Sequence, residues 1–212
     1  MKTDNPRGFT IVELLIVIVV IGVLAAITVI AYNGIQVRAR NSQVASVIQS
    51  YRKALTQYAI EHQAYPTSAR VCLGDDYPDS GVFTTANTRN CFRSNTTLSS
   101  IDASFNIAIK PYLTSKVPTP NSTVYGNGSS PWSTRGAMFQ NNSTVILNGT
   151  ANPWVLVYTI EGQNACPVGP VLDLATYPNV TSTNPSSGYS VLLSGGTVGV
   201  ECWLAMPDPA KM

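Results

Sequence analysis

Histidine and charge are what this sequence has least of. His62 is the one histidine in 212 residues, and Asp, Glu, Lys and Arg together make up 11 % of the chain. The motifs G-x-S-x-G, the phosphate-binding P-loop and H-E-x-x-H are absent, and no two cysteines form a C-x-x-C pair. Those absences remove the nucleophile elbow of serine hydrolases, P-loop nucleotide hydrolysis and the helical zinc site of metallopeptidases. Zinc held by paired cysteines goes with them. A formal net charge of +2 sets up no field that would draw a strongly acidic or basic partner. Carboxylates after the helix are few (Asp75, Asp76, Asp79, Asp102, Glu161, Asp173, Glu201 and Asp208), and nothing in their spacing favours a hydrolase pair. The expectation is a protein that is not an enzyme and uses no cofactor.

What the chain does have is concentrated at its start. A polar leader, MKTDNPRG, runs directly into FTIVELLIVIVVIGVLAAITVIA. Ile11 to Ala31 is a 21-residue span, about 31 Å of helix and so roughly the thickness of a bilayer's hydrocarbon core. A secretory signal has a shorter apolar core, roughly 7 to 15 residues. One charge interrupts the span. An ionised Glu13 in hydrocarbon costs on the order of a few kcal/mol without a partner. A cut between Gly8 and Phe9 creates that partner, because the new α-amino group of Phe9 is a cation four residues before the carboxylate. The ammonium of one chain can then meet Glu13 of another. Lys2 and Arg7 on one side are balanced by Arg38 and Arg40 on the other, so charge alone leaves orientation open.

A short basic leader ending in Gly8, followed by Phe9-Thr10-Ile11-Val12-Glu13 and a long apolar helix, resembles the type IV pilin family over residues 1 to about 65. Beyond that the likeness is one of layout. The resemblance implies that a membrane-embedded prepilin peptidase removes residues 1–8 in the cytoplasm and methylates the Phe9 amine. It also implies that Glu13 guides each subunit into register by contacting a neighbour's N-terminus, and that copies of the chain stack into a filament with the help of an assembly platform. The chain would then be a single-pass protein of the cytoplasmic membrane before assembly and part of an extracellular filament afterwards. Many pilins carry a proline eight residues after the position matching Gly22, where this chain has Ile30. Asn33-Gly34 is left as the better candidate for a flexible point.

The helical pattern outlasts the apolar span. Val44, Val47, Ile48, Tyr51, Ala54, Leu55 and Tyr58 recur at spacings of three and four, one buried stripe, and the helix should stop near Glu61 to Ala64, ahead of Pro66. Later runs rich in Val, Ile, Leu, Tyr and Trp (Thr144 to Leu147, Trp154 to Ile160, Tyr189 to Leu193, Thr197 to Leu204) read as strands of an antiparallel sheet. SVLLSGGTVGVECW reads as a hairpin turning at Gly195-Gly196, and NIAIKPYL as a strand or a short helix. The fold class is therefore α+β: a long N-terminal helix packed on a C-terminal antiparallel sheet, pilin-like. The expected organisation is a leader (1–8), the transmembrane and filament-core half of the helix (9–35) and a soluble domain (36–212). The domain divides into the amphipathic half of the helix (36–64), a variable αβ-loop (65–105) and a sheet with a C-terminal disulfide region (106–212).

Cys72, Cys91, Cys166 and Cys202 all follow the membrane span, and an even number on the exported side reads as two disulfides. Sequence allows three connectivities; Cys72 with Cys91 and Cys166 with Cys202 closes the shortest loops and is favoured. Asp75, Asp76 and Asp79, in GDDYPDSG, are weak calcium candidates, with ordinary turn chemistry the stronger reading. Asn95, Asn142 and Asn148 open Asn-x-Ser/Thr triplets of the kind chance supplies in so Asn/Ser/Thr-rich a chain. The leading functional expectation is a structural pilus subunit serving adhesion, motility or DNA uptake. The alternatives are a pseudopilin of a type II-like secretion system, and a tip minor pilin acting as an adhesin or DNA-binding module through Arg89, Arg93, Lys110, Lys116 and Arg135. Without a basic cluster, that nucleic-acid footprint is slight.

Overall fold

The computed structural model describes residues 9–66, 70–77, 90–93, 98–114, 117–120, 124–125, 133–141, 146–147, 150–162, 166, 168, 189–192 and 198–212. They divide into two compact units, Met1–Ala39 and Arg40–Met212. Helix α1 (Ile11–His62) runs unbroken through Gly22 and Asn33-Gly34, in a stretch of sequence without proline from residue 7 to residue 65. It stops where Gln63 enters the left-handed region at φ 56°, a common way to end a helix that here falls on a side chain other than glycine.

In the N-terminal unit, every large apolar side chain described from Phe9 to Ile35 is at least 47 % exposed. The helix here has no core of its own.

The C-terminal unit is built on β1 (Arg70–Cys72), β2 (Asn90–Arg93), β3 (Leu98–Ser100), α2 (Ala103–Ile109), β4 (Val124–Tyr125), β5 (Ser133–Arg135), β6 (Ala137–Asn141), β7 (Ile146–Leu147), β8 (Thr150–Ala151), β9 (Trp154–Glu161), β10 (Tyr189–Leu192) and β11 (Val198–Ala205). The main sheet is antiparallel with strand order β1-β6-β9-β11-β10; a second sheet has the order β3-β2-β5-β4, and β7 pairs with β8. Register places Val71, Phe139, Leu156 and Leu204 in one cross-strand row, and Ala137, Tyr158 and Cys202 in the next. That sheet face and Val44, Ile48, Tyr51, Leu55 and Ala59 of α1 bury one another in a single hydrophobic cluster. Val47 and Tyr58, also expected on the stripe, are half-buried at its margins.

Two expectations acquire detail here. The stretch 65–105, read as a loop, contains an edge strand of the main sheet, β1, whose Cys72 stands opposite Met138. NIAIKPYL is helical: α2 is capped by Asp102, whose carboxylate accepts from the backbone N–H groups of Ser104 (2.8 Å) and Phe105 (3.0 Å), and passes into a 3-10 turn at Lys110–Tyr112. Strands β10 and β11 pair as a hairpin would, and their Gly195-Gly196 connection lies outside the described residues. Gly136, between β5 and β6, sits at φ 63°, and a Cβ there would collide with the Tyr77 ring. Glycine is required where the chain steps from the second sheet to the main one.

Candidate processing and assembly segment

The N-terminal unit's chemistry is gathered at the start of α1. Thr10 is its N-cap. The Thr10 backbone N–H and Oγ1 both donate to Glu13 Oε2 at 2.8 Å, and the Glu13 backbone N–H donates to Thr10 Oγ1 at 3.2 Å. This is a reciprocal capping box, in which a hydroxyl and a carboxylate three residues apart satisfy donors that the first helical turn leaves over. Part of the cost of placing an acid in an apolar span is thereby met within the chain. Both bonds fall on Oε2, so Oε1 keeps its capacity to accept from elsewhere. Sequence reasoning that fixed on Glu13 passed over Thr10, although Thr-x-x-Glu ahead of an apolar run is the recognised signature. Phe9 is 80 % exposed beside this box; Gly8 lies outside the described residues. The helix is long and apolar enough to cross a membrane.

In the C-terminal unit the two disulfides are those favoured by loop length, Cys72–Cys91 and Cys166–Cys202, with Cα separations of 5.6 and 5.8 Å. The first ties β1 in the main sheet to β2 in the second; the other ties the segment after β9 to β11. On the loop-closure model the two remove chain entropy worth about 3 and about 4 kcal/mol respectively.

The remaining candidate residues do not come together as a site. The hydroxyl of Thr119 accepts from the backbone N–H groups of Asp75 and Asp76, both at 3.2 Å, and donates to Asp75 Oδ1 at 3.3 Å, which makes this a stapled turn. Asp79 lies outside the described residues, as do Asn95, Asn142 and Asn148. Among the described residues no three His, Cys, Asp or Glu side chains are grouped to hold a metal. His62 is exposed and stacks on Tyr58 with ring centroids 4.2 Å apart. Beside it, Tyr112 Oη donates to Glu61 Oε2 at 2.6 Å, a bond that favours the neutral phenol and helps push its pKa up to about 12.

One of the cations proposed to touch phosphate is ruled out by position. Arg135 is 1 % exposed, donates from Nε to the Asn90 carbonyl at 2.7 Å and lies over the Tyr77 ring. Lys110 is exposed, while Arg89 and Lys116 lie outside the described residues. A half-buried clasp with no local signature in the sequence sits at the start of the unit. Asn41 Nδ2 donates to the Glu161 carbonyl at 2.7 Å, and the Glu161 N–H donates back to Asn41 Oδ1 at 3.0 Å, while Arg40 pairs with the Glu161 carboxylate at 2.9 Å.

The capped start of the apolar helix and its lone acid lie within the segment that a known family description matches. Accordingly, the chain carries the prokaryotic N-terminal methylation motif, whose family description matches residues 4–29. Curated relatives follow the same line. A fimbrial protein of Neisseria meningitidis serogroup A is 37 % identical over 73 residues, covering 33 % of this chain and 43 % of its own. The type II secretion system core protein G of Escherichia coli is 39 % identical over 66 residues, 31 % of this chain and 46 % of its own. The type IV major pilin protein PilE of Neisseria gonorrhoeae is 38 % identical over 68 residues, 31 % and 41 % respectively. This chain thus spans less than half the length of each of these relatives. No solved structure matches it.

Proposed function

We propose that this chain is the structural subunit of a type IV pilus or a related filament, cut between Gly8 and Phe9 by a prepilin peptidase and polymerised through α1. The observation that carries the reading is the uncovered apolar helix: a surface at least 47 % exposed at each large side chain described from Phe9 to Ile35 is stable only against lipid or against other helices. Before assembly the span rests in the cytoplasmic membrane, handed on by an assembly platform. Afterwards copies of the chain replace lipid around it, and the filament stands outside the cell. Within the polymer, the free Oε1 of Glu13 receives the Phe9 amine of a neighbour while Oε2 stays on Thr10. Burial supplies the affinity and the ion pair supplies register. The work of such a subunit is assembly, and no catalytic step enters it.

Two variants of the full chain in its producing cell test this. Gly8→Glu should leave the protein unprocessed and cell-bound; a product migrating with wild type and beginning at Phe9 by mass spectrometry would refute it. Glu13→Ala should be processed normally yet give few filaments by electron microscopy. Filaments at wild-type abundance would remove the register role. The relatedness to core protein G favours a second reading, a pseudopilin whose filament serves secretion. Loss of an exported substrate from the medium on deleting the gene, with no surface fibres in wild type, selects that reading.

A further inference from the structure

We infer that a concave face of α1 centred on Arg52 and Lys53 docks Asp76 of a second copy of this chain, a contact that rests on the filament reading and gives it a head-to-tail direction. Most of the acidic side chains described in the C-terminal unit are already held. Glu61 is held by Tyr112, Asp102 by the backbone of α2, Glu161 by Arg40, Glu201 by the Trp203 indole, and Asp208 by Ala210 and Lys211. Asp75 is bonded to Thr119. Asp76 is exposed, only its backbone N–H is engaged, and its carboxylate has no partner among the described residues.

The cations leave a complementary remainder. Arg40 and Lys211 are in ion pairs, Arg135 is buried on the Asn90 carbonyl and Arg70 lies over Phe92. Arg52 and Lys53 are exposed sequence neighbours in no ion pair among the described residues. Ordinary solvated helices pair such cations with acids three or four residues away; here those positions are Ile48, Gln49, Ser50, Leu55, Thr56 and Gln57. The two cations line a groove of about 490 Å³ completed by Gln49, Thr56, Gln57 and Pro207, with amide and hydroxyl donors and no carboxylate in its walls. Lys110, likewise exposed and in no ion pair among the described residues, stands on a 3-10 turn away from that groove's walls.

Geometry makes the contact intermolecular. Asp76 borders a different cavity, about 320 Å³, shared with Arg40, Gln43, Val44 and Val47. At about 100° of rotation per helical residue, those four positions face roughly 160° away from Gln49, Arg52, Lys53, Thr56 and Gln57. Acid and groove thus occupy opposite sides of α1, so Asp76 of one copy meets the groove of the next. A contact between unlike patches is heterologous and, when its rotation does not close a ring, repeats as an open filament. Opposed charge at such a surface fixes partner and register more than it adds affinity.

The test uses the full chain in its producing cell, with filaments sheared, weighed and imaged. Arg52→Glu with Lys53→Glu should lower filament yield on the order of tenfold, and Asp76→Lys should do likewise, because each sets like charges against one another. All three substitutions together should restore filaments, an outcome that damage to folding does not produce. Wild-type yield from either reversed form, or no recovery in the combined one, overturns the contact. Should a reversal unfold the domain, judged by circular dichroism of the full chain in detergent, Lys53→Cys with Asp76→Cys reads the same juxtaposition. The native cysteines are all in disulfides, so a short bis-maleimide should link the new thiols of polymerised subunits into a ladder; monomers alone would overturn the contact. A wild-type strain without filaments sinks the parent reading instead, and is told apart by that control.

Discussion

In the Arg40–Met212 unit the apolar side chains of α1 disappear beneath a sheet: Ile48, Tyr51 and Leu55 are fully buried. In the Met1–Ala39 unit the same helix leaves residues such as Ile11, Leu15 and Ile27 more than half exposed. One element therefore contains two solutions to the hydrophobic effect. Where the stripe is narrow, the chain covers it with its own strands. Where apolar residues run all round the helix, no single chain can cover them, and lipid or sister helices must. Stability of the first kind belongs to the folded unit; on the proposed filament reading, that of the second belongs to the membrane or the polymer.

Truncating one apolar side chain in each unit tests that division directly. Phe139 is fully buried between Tyr65 and Phe105, with ring centroids 5.4 and 5.9 Å away. Phe139→Ala should cost about 3 to 5 kcal/mol in denaturant unfolding of the full chain in detergent, followed by Trp fluorescence. Leu15→Ala removes a comparable apolar group from the N-terminal unit and should shift the same transition by less than about 0.5 kcal/mol, because it leaves no cavity in a folded core. Its loss should appear as fewer filaments. Equal destabilisation by the two substitutions would show that both units draw on one core.

Legibility in the sequence follows the same division. The apolar span and Glu13 are contiguous, so the first unit could be read without three-dimensional information. The stripe through Val44, Ile48, Tyr51 and Leu55 was visible because its period is local, and the strands expected at residues 154–160 and 197–204 because their Val, Ile, Leu, Tyr and Trp are contiguous. Cys72–Cys91 and Cys166–Cys202 followed from loop length. What stayed hidden depends on long-range pairing. Three residues at 70–72 carry too little pattern to announce an edge strand, and only Gln140, Phe139 and Met138 opposite them define it. Arg135 reads as a surface cation until its burial against Tyr77 and the Asn90 carbonyl is known. Asn41 looks like one more polar helix residue, since its partner lies 120 positions away.

Alkaline pH should separate the two units as well. The C-terminal unit buries several phenols. Desolvation pushes the pKa of Tyr158 up to about 12, opposed by the Val168 contact, and raises Tyr51, Tyr65 and Tyr77 as well. The folded state thus holds these protons to higher pH than the unfolded chain does. Stability from this source is complete below the ordinary phenol pKa, near 10, and is lost as pH rises toward 12, at up to about 1.4 kcal/mol per pH unit for each such group. Near-ultraviolet dichroism of the sheet domain should therefore collapse across that window, while the helical signal of the apolar span in detergent persists. Tyr158→Phe should make the fall shallower. A profile flat to pH 12 would show that these rings are not held dry.

The smallest effect locates the boundary between the two regimes. Arg40 and Asn41 open the C-terminal unit, and both reach Glu161 at the end of β9. Asn41 is 6 % exposed, and its amide exchanges two hydrogen bonds with the Glu161 backbone, as a neighbouring strand would. Arg40 reaches the carboxylate at 2.9 Å, with its side chain 41 % exposed. A half-solvated ion pair is worth about 0 to 1 kcal/mol, whereas a buried carbonyl and N–H left without partners cost about 1 to 3. Asn41→Ala should then destabilise the domain more than Arg40→Ala does, by roughly 1 kcal/mol in urea unfolding. The reverse order would mean that charge, and not a side chain standing in for a strand, marks where the helix stops depending on its surroundings and begins depending on its own fold.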